Sequence, residues 1–449
     1  MMDQLVYMTK KIHKIVIVGG GAGGLELATK LGKTLGRKNK ALVTLVDKNR
    51  THIWKPKLHE IASGSMDFGD HEVDYMAHAH WNHFTFRIGE LNGLNRDNKT
   101  IDLAPYVDSD GVAVTPVQQI TYDTLVLCIG SLSNDFGTQG VKEYALRLEN
   151  QQDAKQFHSK MVNACIRAHN QLEAINKRQL HVAIIGAGAT GVELAAELHR
   201  TTREVVAFGL DRIDADKDIK VSLIEAADRI LPALPPQLSK ATEQLIESLG
   251  VQVFTHAKVT EVLPTGLRLA DGRILDSELV VWAAGVKAPD SLKDIGGLET
   301  NRSNQIVVHD TLQTTRDKDI FALGDCAACP YPDGHGGSAG LVPPRAQAAH
   351  QQASHLYQQI LRRFANKPLK PYHYKDFGSL VSLGKFSTVG NMMGGLIGKN
   401  LMIEGYFAKV MYLSLYKLHE LASPGFLKTS LYTLARMITK QTNPTVKLH

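Results

Sequence analysis

Cysteine is nearly absent from this chain: Cys128, Cys165, Cys326 and Cys329 are the four thiols in 449 residues. That is too sparse for a disulfide-stapled extracellular scaffold and favours a reducing compartment. Long apolar stretches are missing as well. No uncharged hydrophobic run reaches the roughly 18 residues that cross a bilayer, so neither a channel nor a proton pump is expected. The opening MMDQLVYMTKKIHK lacks the continuous apolar segment and small-residue cleavage site of a secretory signal, and no export is expected. Low-complexity tracts are absent, and with 43% hydrophobic and 21% charged residues, disorder and collagen-like structure are excluded. The net charge of +6 is small for this length, so nucleic acid is not an expected partner, and anionic lipid becomes one only where the charge is clustered. At about 150 residues per domain, the length allows two or three globular domains.

What is present is a repeat. Residues 15–18 (IVIV) and 182–185 (VAII) each run into a glycine cluster followed by a helical pattern. A second strand ending in an acid lies downstream of each, at 43–47 (VTLVD) and 221–225 (VSLIE). These complete βαβ units, in which parallel strands need helical crossovers. Further strands ending near glycine are expected at 125–130, 279–285 and 320–325, and strand C-termini are where ligands sit in such sheets. Residues 201–220 are charged and aperiodic and read as a surface insertion. After Lys385 the composition turns to Met, Leu, Tyr and Lys, which suggests an appended helical segment.

The first cluster is Gly19-Gly20-Gly21-Ala22-Gly23-Gly24, with Asp47 closing the next strand 23 residues after Gly24. Glycines at the first, third and sixth positions permit a tight turn and let a pyrophosphate approach backbone N–H groups at a helix N-terminus, while the acid accepts ribose hydroxyls. Gly186, Gly188 and Gly191 repeat the spacing, with Glu225 as the acid. An acid there repels a 2′-phosphate, so NADH is favoured over NADPH. Two such sites in one chain are the arrangement of FAD flavoproteins reduced by a pyridine nucleotide. Gly324-Asp325 resembles the late Gly-Asp element that holds the flavin ribityl chain in FAD reductases, which assigns FAD to the N-terminal motif and NADH to the second. The expected fold class is therefore α/β: two Rossmann-like dinucleotide-binding domains plus a C-terminal amphipathic segment. The expected boundaries are 12–145 with 295–385 for FAD, 146–294 for NADH and 386–449 for the tail.

No cysteine falls in residues 25–60, where disulfide-reducing members of this superfamily carry a Cys pair in the helix after the first motif. Cys326-x-x-Cys329 has the spacing of redox and zinc sites, but no second such pair or histidine cluster accompanies it. Two thiols in a loop beside the flavin are expected, and no metal site. The segments His52-Ile53-Trp54-Lys55-Pro56-Lys57-Leu58-His59-Glu60-Ile61-Ala62-Ser63-Gly64, Val281-Trp282-Ala283-Ala284-Gly285-Val286-Lys287-Ala288-Pro289 and Ala346-Gln347-Ala348-Ala349-His350-Gln351-Gln352 resemble type II NADH:quinone oxidoreductases, and the likeness runs from about Lys14 to the C-terminus. The resemblance implies FAD as bound cofactor, NADH and a membrane quinone (ubiquinone) as substrates, and electron transfer into a respiratory chain without proton pumping. It places Gln347 and Gln351 at the quinone headgroup, where an amide can donate to a carbonyl without titrating. It makes Glu193 the acid that reaches between the NADH and flavin sites, and sets Lys385 near the quinone proton path. Lys48, Leu91, Gly130 and Ala349 join the flavin set on the same ground, and Gly285 the NADH set. His350 and His59 are read as structural residues.

Helical patterns cover 403–422 and 426–440. In the second, Leu427, Leu431, Leu434 and Ile438 share one face while Arg436 and Lys440 lie opposite. After Glu420 there is no acid, but there are four cations, Lys428, Arg436, Lys440 and Lys447. This is the composition of a helix lying in an anionic interface, the alternative being a helix packed on the core or in a homodimer contact. The expected place is the cytoplasmic face of a bacterial inner membrane. Rival readings are a sulfide:quinone or ferredoxin-type reductase, and a non-catalytic NADH sensor.

Overall fold

The computed structural model describes residues 12–66, 72–332, 338–383, 388–392 and 401–404. In chain order the elements that carry the sites begin with β1 (His13–Val18), α1 (Ala22–Leu31), β2 (Ala41–Asp47), α2 (Leu58–Ala62), β3 (Thr85–Ile88) and β4 (Thr124–Leu127). Next come β5 (Leu146–Arg147), α3 (Gln151–Asn170), β6 (His181–Ile185), α4 (Ala189–Ala207), β7 (Lys220–Ile224), β8 (Gln252–Phe254) and β9 (Leu279–Trp282). The last are β10 (Gln313–Thr314), β11 (Asp317–Ala322), α5 (Ala346–Phe364), β12 (Ser379–Ser382), β13 (Thr388–Met392) and β14 (Leu401–Glu404).

The chain divides into two compact units. The first takes Met1–His52, Val73–Ser131 and Lys287–Tyr374, and the second takes Ile53–Glu72, Leu132–Val286 and Lys375–His449. The first is built on a six-stranded sheet in the order β10-β11-β4-β1-β2-β3, parallel except for β10 at its edge. Strand β1 sits inside it, with Ile15 paired to Val43 on one side and Thr124 on the other. Ile15 and Ile17 are fully buried, as are Leu45, Leu125 and Leu127 on the neighbouring strands. A parallel strand covered on both faces reads as an unbroken apolar run, which is why 15–18 shows no polar alternation.

The second unit repeats the plan in a five-stranded parallel sheet ordered β5-β9-β6-β7-β8. Each unit also inserts a three-stranded antiparallel sheet at the same point of the pattern. In the first it is Leu91–Asn95, Thr100–Leu103 and Gln118–Thr121, between β3 and β4. In the second it is Val259–Leu263, Gly266–Leu269 and Ile274–Asp276, between β8 and β9. The segment containing α2 belongs to the second unit, where Leu58, Ile61 and Ala62 join one buried cluster with Phe157 of α3 and Leu194 of α4.

Two expectations are corrected. Residues 201–207 are not part of a surface insertion: α4 continues to Ala207, with Thr201, Thr202 and Val205 buried. The two threonines look polar in sequence, but their hydroxyls donate back to the carbonyls of Glu197 and Leu198, at 3.0 and 2.6 Å, and so fit a helix interior. The segment after Lys385 does not open as a helix. Thr388–Met392 and Leu401–Glu404 pair antiparallel with each other, and β13 also pairs with β12. Ile403, expected to begin a helix, therefore lies in β14. Lys385 and the remainder of the expected tail helices lie outside the described residues.

Candidate functional site

In the first unit, β1 delivers the chain into a turn that only glycine can make. Gly19 has φ +104°, and a Cβ on it would lie 2.3 Å from the carbonyl oxygen of Cys128 at the end of β4. At Gly24 a Cβ would lie 1.9 Å from the Gly19 oxygen, so α1 can start this close to β1 only without a side chain. Gly21 differs: its Cβ position meets nothing within 4 Å. The backbone N–H of Gly20 donates to Asp47 Oδ2 at 2.6 Å, while the Gly20 carbonyl accepts from the Tyr75 hydroxyl at 2.7 Å. Nδ1 of His52 lies 2.9 Å from the same oxygen, and burial pushes this imidazole down to about 4, so the ring is neutral at pH 7 and Nδ1–H donates. Burial raises the Asp47 carboxyl, against the N–H groups of Asn49 and Gly20 that favour its ionised form.

The other expected flavin residues gather around this turn. A Cβ on Gly23 would lie 3.1 Å from the Ala349 carbonyl oxygen on α5, and one on Gly324 would lie 3.6 Å from the Ala349 Cβ. Gly130, with φ +83°, follows β4, and Ser131 donates its hydroxyl to Asp325 Oδ2 at 2.7 Å. Gln305 donates to the Asp325 carbonyl at 2.9 Å, and Gln352 accepts from the Gly324 N–H at 2.7 Å. Leu91 is buried at the start of the antiparallel insert, whereas Lys48 is exposed and paired with Glu90 at 3.1 Å. Gln347 and Gln351 stand one turn apart on one face of α5, both half-buried.

The second unit reproduces the turn. Gly186 has φ +102°, a Cβ on Gly191 would lie 2.0 Å from its carbonyl oxygen, and Gly188 again faces open space. The N–H of Ala187 donates to Glu225 Oε2 at 2.8 Å, and that of Ala227 donates to Oε1 at 2.9 Å. Gly285, with φ +65°, lies beyond β9, where a Cβ would be 2.5 Å from the Phe136 ring. Glu193 is buried in the first turns of α4.

All four cysteines are free and buried. Burial pushes the Cys326 and Cys329 thiols up to about 11 and about 12, far from the thiolate that exchange chemistry needs. Cys326 spends its S–H on the carbonyls of Leu127 and Leu323, at 3.5 and 3.4 Å.

Side chains that sequence reasoning did not single out include Tyr75 and His52 on the loop carbonyl. Glu26 is another, bound to His350, to Lys30 at 2.5 Å and to Ser354 at 2.8 Å, which ties α1 to α5. Around Glu193 are His59, Lys57 and Glu60. No spacing signals these contacts.

Both middle glycines leave space open in front of the loop N–H groups and a helix N-terminus, where a pyrophosphate fits. Two such turns, on separate units of one chain, define a protein with two dinucleotide-binding sites. Residues 13–353 match the pyridine nucleotide-disulphide oxidoreductase family. A type II NADH:quinone oxidoreductase of Haemophilus influenzae is 43% identical over 451 residues, covering 98% of this chain and 100% of the relative. The chain belongs to the type II NADH:quinone oxidoreductases, flavoproteins that pass electrons from NADH to quinone. The solved structure of NDH2 from Plasmodium falciparum in complex with NADH has the same fold, with a TM-score of 0.81 at 19% identity over 97% of this chain and all of that one. The sulfide:quinone oxidoreductase of Aquifex aeolicus shares it with a TM-score of 0.69 at 16% identity, covering 96% of each chain.

Proposed function

We propose that FAD is held by the first unit, at Gly19 to Gly24, Asp47, Gly130, Gly324, Asp325 and Ala349, with Lys48 and Leu91 flanking it. NADH is held by the second, at Gly186, Gly188, Gly191, Glu225 and Gly285. The observation that carries this reading is the duplicated turn. Its first glycine has φ +104° in one copy and +102° in the other, and in each the acid of the next strand takes the N–H of the following residue. Gly324-Asp325 supports this order, since it lies against Ala349 and Ser131 in the first unit. When bound, FAD supplies the two-electron step that links nicotinamide to quinone. The protein's own part is placement: backbone N–H groups fix the pyrophosphates, and the carboxylates orient the turns and meet the riboses.

Gln347 and Gln351 serve the quinone headgroup as non-titrating donors, Glu193 serves the nicotinamide side, and Lys385 serves proton supply to the quinone. The expected domains, 12–145 with 295–385, 146–294 and 386–449, carry flavin, NADH and membrane contact in that order. Among the described residues no helix is long and apolar enough to cross a membrane. The cationic, amphipathic sequence after Glu420 suits attachment to anionic lipid at the cytoplasmic face of a bacterial inner membrane, where ubiquinone is the acceptor. Anaerobic spectroscopy tests the reading: NADH bleaches the flavin and a quinone restores it. Bleaching that a quinone does not reverse would refute quinone as acceptor, and a flavin untouched by NADH would refute NADH as donor.

A further inference from the structure

The two turns differ at the residue after the first glycine, which is Gly20 in the first unit and Ala187 in the second. The strand-end acid takes its N–H in both, Asp47 at 2.6 Å and Glu225 at 2.8 Å. Its carbonyl is held differently. In the second unit the Ala187 oxygen accepts a backbone N–H, from Leu231 at 2.8 Å. In the first unit two side chains take that place: the Tyr75 hydroxyl donates to the Gly20 oxygen at 2.7 Å, and His52 Nδ1 lies 2.9 Å from it. Gly20 does not have a positive φ, yet a Cβ on it would lie 2.4 Å from the Tyr75 hydroxyl oxygen. The tyrosine, and not the backbone, requires glycine here.

Local pairing brings the two donors together. Beyond β2 the chain forms a two-residue strand, Thr51–His52, antiparallel to Val73–Asp74, and a helix at Tyr75–Trp81 follows at once. Asp74 caps that helix by accepting the Ala77 N–H at 2.7 Å. The Tyr75 ring is stacked on Phe86 of β3 at 5.1 Å and is buried, so its hydroxyl has little freedom to leave the loop. Burial pushes the phenol well up, so it keeps its proton and donates, as the neutral His52 imidazole does. The Gly20–Gly21 peptide is trans, so its C=O and N–H point in opposite directions, and fixing the carbonyl fixes the N–H. That Gly21 N–H points away from both donors and has no hydrogen-bond partner among the described residues. Two donors on the carbonyl also polarise the amide and make its N–H a stronger donor.

We propose that Tyr75 and His52 are positioning residues that aim the Gly21 N–H at the pyrophosphate of the flavin dinucleotide. The inference rests on the reading that FAD occupies the first unit. Each side chain acts through the plane of one peptide. In the second turn a backbone donor has the same role, and no side-chain substitution removes it. The aim of the first turn therefore depends on a hydroxyl and an imidazole carried by a separate strand and helix, and that dependence is what an experiment can reach.

Phosphorus-31 spectra of the purified holoenzyme read the aim, and flavin release on dilution, followed by the fluorescence of the freed flavin, reads its worth. Tyr75→Phe keeps the ring on Phe86 but loses the hydroxyl, and His52→Leu loses the imidazole donor. In both, the resonances of the bound pyrophosphate shift and release quickens about three- to tenfold, the worth of one neutral hydrogen bond. His52→Asn, whose amide nitrogen can stand where Nδ1 does, restores both readings. Gly20→Ala pushes the tyrosine ring aside, so adding Tyr75→Phe to it quickens release no further. A melting temperature that falls in Tyr75→Phe and His52→Leu, with resonances and release unchanged, would overturn the proposal and leave the two residues a packing role. Should His52→Leu not fold, Tyr75→Phe and its combination with Gly20→Ala decide the matter. A wild type that purifies without flavin overturns the reading of the first site and the proposal with it, whereas a wild type that holds flavin, with every variant matching it, overturns the positioning role alone.

Discussion

Alanine at the middle glycines separates the two sites. Gly21 and Gly188 have φ −63° and −72° with extended ψ, conformations that alanine adopts without strain, and neither Cβ would meet a protein atom within 4 Å. Each stands at a helix N-cap, where exchanging glycine for alanine costs about 1 kcal/mol or less, so both variants fold. The added methyl instead fills the space that a pyrophosphate takes. Charge-assisted hydrogen bonds are worth about 1.5 to 3 kcal/mol each, so losing one weakens binding roughly ten- to a hundred-and-fifty-fold. Gly21→Ala is expected to purify with less flavin per chain, measured by absorbance, and to bind added FAD that much more weakly. Gly188→Ala keeps its flavin but needs correspondingly more NADH to half-saturate the anaerobic bleaching rate. Gly24→Ala is the structural control: its Cβ would lie 1.9 Å from the Gly19 backbone oxygen, so the turn itself fails. If Gly188→Ala sheds flavin while Gly21→Ala keeps it, the order of the sites is reversed. If neither affinity changes, the turns do not cradle a pyrophosphate.

Replacing Glu225 with Ser or Arg narrows the preference for NADH over NADPH, and an unchanged ratio of kcat/KM values refutes its role. Gln347→Met and Gln351→Leu leave NADH-driven bleaching intact and slow reoxidation by quinone about five- to two-hundred-fold, the worth of about 1 to 3 kcal/mol in one hydrogen bond; loss of flavin or slower bleaching would mean that the amides hold FAD. Deletion after Ser423 releases the enzyme from anionic vesicles in a flotation assay, and salt mimics part of the effect; salt-independent binding by the truncated chain argues against the tail. Glu26 gives a pH signature. Its folded pKa is depressed, so its stabilisation is present above the ordinary carboxyl value of 4.5 and lost as pH falls below it. The melting-temperature gap between wild type and Glu26→Gln therefore narrows on acidification below that value, and a gap constant with pH contradicts the pairing.

Residue types were legible where the backbone leaves no choice. Gly19 must bear φ +104° and Gly24 must come within a Cβ radius of a carbonyl, so both glycines can be read from spacing. Contacts made by side chains across the fold carry no such signature. The Tyr75 hydroxyl reaches Gly20 over 55 residues of chain, and His350 reaches Glu26 over 324, and any donor of similar reach could do either. The helix through Thr201 and Thr202 was hidden because polar side chains that bond their own backbone imitate a loop in composition. The twin acids mark the boundary most sharply. Offset from the third glycine predicts where Glu26 and Glu193 stand, one turn into the dinucleotide helix, and does so equally for both. It cannot predict their protonation, because that is decided by neighbours at unrelated positions. A lysine and a serine added to the histidine hold one carboxyl below its ordinary pKa, whereas burial with a single backbone N–H and a histidine shared with another acid raises the other.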